Sequence, residues 1–273
     1  MKVGIVGTGN MGGILIQAFV ESGAISPSDL NVVNRTRSKA EMLRENYRDI
    51  SIYNEPAQVI QDSDVIFICV KPLDIFEVLK NNQHHFTKEK CIVSITSPVS
   101  VEQIESLVDC SSMRVIPSIT NRAFSGVSLF SFGSRCTEEW KQAIWELLNS
   151  VSTPVKIDEN ITRVSSDIVS CGPAFFTYLT RKFIQGAVSE TEIDETTATV
   201  LASEMLIGLG ELLKKEVYTL DALQEKVCVK GGVTGEGISA MEGQIGSLFH
   251  ELFKATHRKF DEDISETKKQ FGI

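Results

Sequence analysis

Several signals that would place this chain of 273 residues in a familiar class are missing from its sequence. No Cys-x-x-Cys pair occurs among its six cysteines, and its four histidines lack a metal-type spacing with cysteines or paired carboxylates. No apolar run approaches the roughly 18 residues that a membrane helix needs, and the glycine-rich start is unlike a signal peptide. We therefore expect reduced thiols, no metal, no membrane association and a cytoplasmic location.

An excess of basic residues is also missing. Twenty-seven lysines and arginines face 36 aspartates and glutamates, which gives a net charge of −9. Residues 1–158 carry a net charge of −3 and residues 159–273 carry −6, so neither half is basic. Binding to nucleic acid requires positive charge opposite the phosphates, and we expect no nucleic-acid partner.

What is present in the first 158 residues is an alternation of short apolar runs with helical patterns. Val65–Val70 is apolar throughout, as is typical of a strand buried on both faces, and Cys91–Ile95 repeats the pattern. Met11–Val20 has helical spacing, and Ser100 with Gln103 predicts a capping box before another helix. This alternation predicts an α/β fold of the Rossmann type, with a doubly wound, mostly parallel sheet.

A glycine fingerprint for dinucleotides lies at the first junction between strand and helix. Gly7, Gly9 and Gly12 form a GxGxxG pattern directly after an apolar run and at the start of a helix. These glycines allow a tight turn, a close approach of the backbone to a pyrophosphate, and close packing of helix on strand. The fingerprint predicts cofactor contacts from Gly7, Thr8, Gly9, Asn10 and Met11.

The residues after the second strand favour NADPH over NADH. Enzymes that use NAD usually place Asp or Glu there to bind the ribose 2′-hydroxyl, about 20 residues beyond the fingerprint. This chain instead has Asn34-Arg35-Thr36-Arg37-Ser38-Lys39, without a carboxylate. A 2′-phosphate would be bound by Arg35, so we predict NADPH with Asn34, Arg35 and Thr36 among its contacts.

A third cofactor segment follows the strand that starts at Val65. Ligands of doubly wound sheets bind outside the carboxyl ends of the strands. Val70, Lys71 and Pro72 end that strand, and we predict that they lie near the ribose or the nicotinamide.

Strand patterns stop near Asp158, and helical patterns cover the rest of the chain. They run over Phe175–Val188, Glu195–Lys215, Leu220–Val229 and Ile238–Phe260. The second of these helices carries a wide apolar stripe from Val200 to Leu213, more than a peripheral helix needs. We predict two domains, 1–158 and 159–273, and a homodimer, or a larger homo-oligomer, whose interface lies mainly after Asp158.

Taken together, these motifs resemble those of the pyrroline-5-carboxylate reductase family. The matching segments follow the family's order and span nearly the whole chain: Gly7-Thr8-Gly9-Asn10-Met11-Gly12, Asn34-Arg35-Thr36, Val70-Lys71-Pro72, Arg114-Val115-Ile116-Pro117, Gly172-Pro173-Ala174-Phe175 and Gly231-Gly232-Val233-Thr234. Within the family, the chain most resembles the divergent member that bacilli encode with late-competence genes.

The resemblance implies an NADPH-binding Rossmann domain followed by a helical domain for dimerisation and substrate binding. It implies hydride transfer to the C=N carbon of 1-pyrroline-5-carboxylate, giving L-proline, and hence a role in proline biosynthesis. Gly231, Gly232, Val233 and Thr234 would bind this cyclic imino acid, because backbone N–H groups before a helix can hold its carboxylate. Thr234 is the catalytic candidate, since its hydroxyl would bond the ring nitrogen.

The chain departs from the family's usual residues at the substrate end. The departures are Thr96-Ser97-Pro98, Ser118-Ile119-Thr120, Ser170-Cys171, Val229-Lys230 and Glu236. Three functions therefore stay open. The first is an imine reductase, and the second is an oxidoreductase like the β-hydroxyacid dehydrogenases, for which Lys182 is the nearby candidate base. The third is an NADPH-binding regulatory protein with little or no reductase activity.

Overall fold

An eight-stranded sheet forms the core of the first part of the chain in the computed structural model, which describes residues 1–273. The strands are β1 (Val3–Val6), β2 (Leu30–Val33), β3 (Ser51–Tyr53), β4 (Val65–Ile68), β5 (Cys91–Ser94), β6 (Ser111–Ile116), β7 (Val127–Phe132) and β8 (Thr153–Lys156). Their spatial order is β3-β2-β1-β4-β5-β6-β7-β8, and every neighbouring pair is parallel except β6 and β7. This confirms the predicted Rossmann sheet, whose strand order reverses between β1 and β4.

Seven helices accompany the strands. They are α1 (Asn10–Glu21), α2 (Arg37–Asn46), α3 (Pro56–Gln61), α4 (Pro72–Asn82), α5 (Val101–Glu105), α6 (Glu138–Asn149) and α7 (Thr162–Ser166). Helix α5 begins at the predicted capping box, where Ser100 Oγ accepts from the Gln103 backbone N–H at 3.2 Å. The sequence analysis missed β3 and α3, because three and six residues are too few to show a period.

Both faces of the sheet are covered, and β4 shows it directly. Its residues point alternately to the two faces, so Val65 and Phe67 join one apolar cluster while Ile66 and Ile68 join the other. All four side chains are fully buried. The prediction of a strand buried on both faces is confirmed.

Five more helices follow α7, without a further strand. They are α8 (Gly172–Glu190), α9 (Glu195–Lys214), α10 (Leu220–Val227), α11 (Val233–Ile245) and α12 (Leu248–Phe271). The prediction of one helix over Ile238–Phe260 is wrong, because Gly246 has a φ of +42° and ends α11. Only glycine adopts this backbone region readily, and a second helix starts two residues later.

The chain divides into two compact units. The first comprises Met1–Pro173 with Ala255–Ile273, and the second comprises Ala174–Lys254. The residues that directly follow Asp158 are bonded to the first unit. Glu159 pairs with Arg114 of β6 at 2.5 Å, for example. The second unit buries three apolar side chains, which are those of Ile184, Ala198 and Ala202.

Candidate functional site

A cleft of about 620 Å³ opens where β1, β2 and β4 end. Its walls come from the turn after β1, the start of α2, the turn after β3 and the first turns of α4. The lining residues are Val6, Gly7, Gly9, Val33, Asn34, Arg35, Thr36, Lys39, Asn54, Glu55, Pro56, Cys69, Val70, Lys71, Asp74, Glu77 and Val78. The cleft therefore lies at the strand-order reversal, where doubly wound sheets bind their ligands.

The three fingerprint glycines have different surroundings. Gly7 has a φ of +101°, and a Cβ atom there would lie 2.7 Å from the carbonyl oxygen of Cys69. A Cβ atom on Gly12 would overlap the carbonyl oxygen of Gly7. A Cβ atom on Gly9 would meet no atom within 4 Å. The fold itself requires Gly7 and Gly12, whereas the open space at Gly9 suits the approach of a ligand to the backbone.

The turn that contains Gly9 fits an anionic group. Thr8 is 8 % exposed, and its Oγ1 atom has no hydrogen-bond partner within the chain. Buried hydroxyl groups normally find a partner, so Thr8 Oγ1 is available to a ligand atom. Helix α1 starts at Asn10 without a side-chain cap, which leaves backbone N–H groups and the positive end of the helix dipole facing outward. These residues fit the pyrophosphate of a dinucleotide.

The three basic side chains after β2 differ in whether they form an ion pair within the chain. The Nε atom of Arg37 pairs with Glu41 at 2.7 Å, and its guanidinium also donates to Asn54 Oδ1. Arg35 and Lys39 line the cleft without an ion pair. Two unpaired positive charges directly after β2, with no carboxylate there, fit a ribose 2′-phosphate.

Asn34 connects the fingerprint turn to the end of β2. Its Oδ1 atom accepts from the backbone N–H of Thr8 at 2.9 Å, and its Nδ2 atom donates to the carbonyl oxygen of Thr36 at 2.9 Å. Lys71 precedes α4 as its N-cap residue, and Pro72 is the first residue of that helix. Of the predicted cofactor residues, seven line the cleft: Gly7, Gly9, Asn34, Arg35, Thr36, Val70 and Lys71. The other four, Thr8, Asn10, Met11 and Pro72, belong to the turns and helix starts beside it.

The sequence analysis missed two parts of the cleft wall. One part follows β3 and was not predicted because that short strand was not recognised; it consists of Asn54, Glu55 and Pro56. Asp74, Glu77 and Val78 belong to the first two turns of α4. The second group could have been predicted from the helix start at Lys71-Pro72. The first turns of a helix that follows a strand lie at the edge of the sheet where that strand ends.

Cys69 contributes an unreactive thiol to the cleft. All six cysteines are free. Desolvation raises the pKa of the Cys69 thiol far above its usual range, so it stays protonated. It acts as a small apolar wall residue.

The predicted substrate residues Gly231, Gly232, Val233 and Thr234 lie in the second unit. Helix α11 begins at Val233 rather than near Ile238 as predicted, because Gly232 is its N-cap residue. Thr234 thus occupies the first turn of the helix. It is half-buried, and its Oγ1 atom makes no hydrogen bond within the chain. Since no side chain caps this turn, its backbone N–H groups remain available to an acid.

The segments that depart from the family are held by hydrogen bonds. Ser118 Oγ donates to the carbonyl oxygen of Val169 at 2.8 Å, and Ser170 Oγ donates to that of Pro117 at 2.6 Å. Two departures, at 118–120 and at 170–171, are therefore bonded reciprocally. This pattern indicates an ordered, altered structure rather than a loss of structure.

Arg114 organises the end of β6, a role that the sequence analysis did not assign. Its side chain is 1 % exposed, and it donates to both Glu159 carboxylate oxygens, at 3.1 and 2.5 Å, and to Thr162 Oγ1 at 2.7 Å. It also donates to the carbonyl oxygen of Ser97 at 3.1 Å. One buried cation thus fixes the start of the helical region and the loop after β5.

Lys182, the candidate base for dehydrogenase chemistry, is an exposed residue of α8. Its Nζ atom donates to Gln185 Oε1 at 3.1 Å and lies 5.7 Å from the ring centroid of Tyr178. No burial or charged neighbour sets it apart from a surface lysine, so the structure offers no support for dehydrogenase chemistry of this kind.

Helix α9 is long and apolar enough, by length and composition alone, to cross a membrane. It is the one such helix, and few of its residues are buried within the chain. A single helix of this kind is a weak indication of a membrane span, because helices covered by a partner subunit have the same composition.

Comparison with known proteins assigns both parts of the chain. Residues 2–98 match the family model for NADP oxidoreductase, coenzyme F420-dependent, and residues 159–263 match that for pyrroline-5-carboxylate reductase dimerisation. ComE operon protein 4 of Bacillus subtilis (strain 168) is 52 % identical over 273 residues, the full length of both chains. Pyrroline-5-carboxylate reductase 3 of the same organism is 27 % identical over 271 residues, which cover 98 % of this chain and 99 % of the relative.

A solved structure shares the whole fold. The pyrroline carboxylate reductase of Plasmodium falciparum, determined with NADP bound, has a TM-score of 0.84 and covers 98 % of each chain at 19 % identity.

Proposed function

Because the chain belongs to the pyrroline-5-carboxylate reductase family, we propose that it is an NADPH-dependent imine reductase. Its reaction is hydride transfer to the C=N carbon of 1-pyrroline-5-carboxylate, which gives L-proline. The observation that carries the proposal is the cleft at the strand-order reversal, where Arg35 and Lys39 line the wall unpaired and no carboxylate lies between β2 and Lys39. Such a wall favours a dinucleotide that carries a 2′-phosphate on its ribose, as NADPH does.

The cofactor would be held by residues that the structure groups around this cleft. The first turn of α1 and the open backbone at Gly9 receive the pyrophosphate, and Thr8 Oγ1 gains a partner there. Arg35 and Lys39 receive the 2′-phosphate, while Val70 and Lys71 lie toward the nicotinamide ribose. NADPH supplies the hydride when it is bound, and the chain supplies the orientation.

The substrate residues are proposed to be Gly231, Gly232, Val233 and Thr234. The N–H groups in the first turn of α11 hold the substrate carboxylate at the positive end of the helix. A cyclic imine is basic enough to be protonated near neutral pH, so its N–H donates to Thr234 Oγ1. Thr234 therefore orients the ring, and the chain does not need to provide a proton.

A second candidate function is an NADPH-binding protein that acts in competence through a partner, with little or no turnover. The observation in its favour is the name of the 52 % identical relative, which refers to an operon and states no activity. The reciprocal bonds between Ser118 and Ser170 and their neighbours weigh against it, because an unused site would not be expected to retain mutually adapted loops.

We place the protein in the cytoplasm as a homodimer. The helical region matches a dimerisation model, and the second unit buries three apolar side chains of its own. A second copy of the chain would cover the exposed apolar faces of its helices.

One assay separates the two functions. The purified full chain is mixed with NADPH and pyrroline-5-carboxylate, the nicotinamide absorbance is followed, and proline is quantified; NADPH binding is measured by fluorescence titration. Loss of absorbance with matching proline supports the reductase. Binding of NADPH without turnover supports the regulatory protein, and absence of binding contradicts both.

A further inference from the structure

The last turns of α12 pack against elements that surround the cofactor cleft. The Phe271 ring meets the Phe76 ring edge-on, with 5.1 Å between centroids and an interplanar angle of 76°. Gln270 Nε2 donates to the carbonyl oxygen of Leu73 at 3.2 Å. These two contacts join the end of α12 to α4, and all four residues belong to the first compact unit.

Helix α4 is shared between this contact and the cleft. Leu73 and Phe76 meet α12, whereas Asp74, Glu77 and Val78 line the cleft wall. Because a helix moves as a rigid rod over two turns, a contact on one side sets the position of residues on the other. The end of α12 thus acts on the cleft without reaching into it.

The same part of α12 also holds the loop after β5. Thr267 is fully buried, and its Oγ1 atom lies within hydrogen-bond distance of two carbonyl oxygens, that of Pro98 at 3.2 Å and that of Ile264 in α12 at 3.0 Å. The preceding carbonyl, that of Ser97, accepts from Arg114. This loop follows the carboxyl end of β5, at the edge of the sheet where the cleft opens, and it is one of the segments that depart from the family.

We propose that Thr267, Gln270 and Phe271 are positioning residues for dinucleotide binding. They fix α4 and the loop after β5, and they raise cofactor affinity without touching the ligand. The inference rests on the proposed NADPH site and adds to it a determinant of affinity outside the cleft.

The proposal predicts a signature that distinguishes positioning from phosphate recognition. The α4 wall serves NADPH and NADH alike, because the two cofactors differ only at the 2′-phosphate. Loss of the Phe271 ring should weaken both by the same factor. Loss of Arg35 should weaken NADPH alone.

The test measures dissociation constants for NADPH and NADH by fluorescence titration of the full chain. Phe271→Ala is expected to raise both three- to tenfold and to leave their ratio unchanged. Gln270→Ala, which removes one hydrogen bond from an exposed side chain, is expected to raise both about twofold. Phe271→Leu should restore most of the affinity, since it keeps an apolar side chain against Phe76.

Lys269→Ala is the matched control, because Lys269 lies in the same turn of α12 and is exposed without an ion pair. Its dissociation constants should stay within 1.5-fold of wild type. Folded Phe271→Ala and Gln270→Ala proteins that bind both cofactors like wild type would overturn the inference and leave the NADPH site standing. If Phe271→Ala does not fold, Gln270→Ala decides, because a twofold rise in both dissociation constants is expected for it and none for Lys269→Ala. A wild-type chain that binds neither cofactor overturns the proposed function and this inference together.

Discussion

At the scale of single residues, the cleft distinguishes two arginines that stand two positions apart. Arg37 is bonded to Glu41 and Asn54, whereas Arg35 lines the cleft unpaired. A guanidinium that already has a carboxylate partner gains little from a second anion, and an unpaired one gains a charge-assisted hydrogen bond. The pair therefore offers a variant and its control within one segment.

The first prediction concerns cofactor preference. The wild-type chain should bind NADPH at least tenfold more tightly than NADH, a difference of about 1.4 kcal/mol. Arg35→Ala should remove most of this preference by raising the NADPH dissociation constant alone. Arg37→Ala should change it less than twofold. Isothermal titration with both cofactors measures the ratio, and equal affinities in the wild type would contradict the NADPH assignment.

The second prediction concerns Thr234. Thr234→Ala should lower turnover ten- to a hundredfold, on the order of 1.4–2.7 kcal/mol, because the imine loses its orienting hydroxyl. NADPH affinity should stay within twofold, and Thr234→Ser should keep most activity. Steady-state kinetics with pyrroline-5-carboxylate measures the effect.

Thr196→Ala is the control for that experiment. Thr196 is the second residue of α9, as Thr234 is the second residue of α11, so both changes remove a hydroxyl from a first helical turn. The control should leave turnover unchanged. Unchanged turnover in Thr234→Ala as well would show that the substrate binds elsewhere.

Residues whose position follows from the fold could be predicted from the sequence, whereas residues whose role depends on a distant partner could not. Motif residues such as Gly7 and Arg35 could be placed from the sequence because strand ends in this fold meet at one edge. The unpaired Thr8 hydroxyl and the difference between Arg35 and Arg37 could not, since they depend on partners brought in by folding: Arg37 meets Asn54, which follows the unrecognised β3.

At the scale of elements, strands with an unbroken apolar run could be predicted from the sequence, whereas the short β3 and the ends of α11 and α12 could not. A strand such as β4, buried on both faces, leaves an unbroken apolar run that is visible in the sequence. Helices α11 and α12 show no such signal at their junction, because the break depends on the backbone conformation of Gly246. The same limit explains the late predicted start of α11, whose N-cap is a glycine without a capping side chain.

The reciprocal bonds between two departing segments lead to a third prediction, on stability. Ser170→Ala leaves the buried Pro117 carbonyl oxygen without its donor and should lower the free energy of unfolding by about 0.5–1.5 kcal/mol. Ser118→Ala should lower the free energy of unfolding by a similar amount. Because the two bonds join the same two segments, the double variant should deviate from additivity by about 0.5 kcal/mol or more.

Urea denaturation followed by tryptophan fluorescence measures these changes through Trp140 and Trp145 of α6. Ser165→Ala is the control, since Ser165 is half-buried in α7 and its hydroxyl makes no hydrogen bond. It should change the free energy of unfolding by less than about 0.5 kcal/mol. Strict additivity of the Ser118 and Ser170 variants would show that the segments are not coupled.

At the scale of the whole molecule, the second unit leaves many of its apolar side chains exposed within one chain. Ile184, Ala198 and Ala202 are its buried apolar side chains, while the stripe on α9 is exposed to solvent within one chain. A core of three side chains does not stabilise a unit of this size. We therefore expect folding of the second unit to depend on association with a second copy of the chain.

The fourth prediction follows from that dependence. Leu201 of α9 is 59 % exposed, and Leu201→Glu should weaken the dimer at least tenfold, because a carboxylate would be buried between apolar faces. Met42→Glu is the control, since Met42 of α2 is similarly exposed, at 62 %, but lies outside the helical region. Light scattering coupled to size-exclusion chromatography measures both. A wild-type monomer at micromolar concentration would contradict the assembly proposed.

The fold class and the family could be predicted because their motifs run through the whole chain. The division into compact units could not, because it depends on contacts between distant residues. Thr267 contacts Pro98 across 169 positions of the chain, and no local sequence pattern predicts a contact between residues so far apart.

The return of α12 to α4 also has a consequence for the order of events during synthesis. Ribosomes add about 5–20 residues per second, so Phe271 is made on the order of 10 s after β8, the last strand of the sheet. Until then, Phe76 lacks its aromatic partner, and the apolar cluster beneath α4, to which Phe271 belongs, stays incomplete. A nascent chain can thus form its sheet early, yet α4, which lines the nucleotide cleft, gains its support from α12 only after the helical region has left the ribosome.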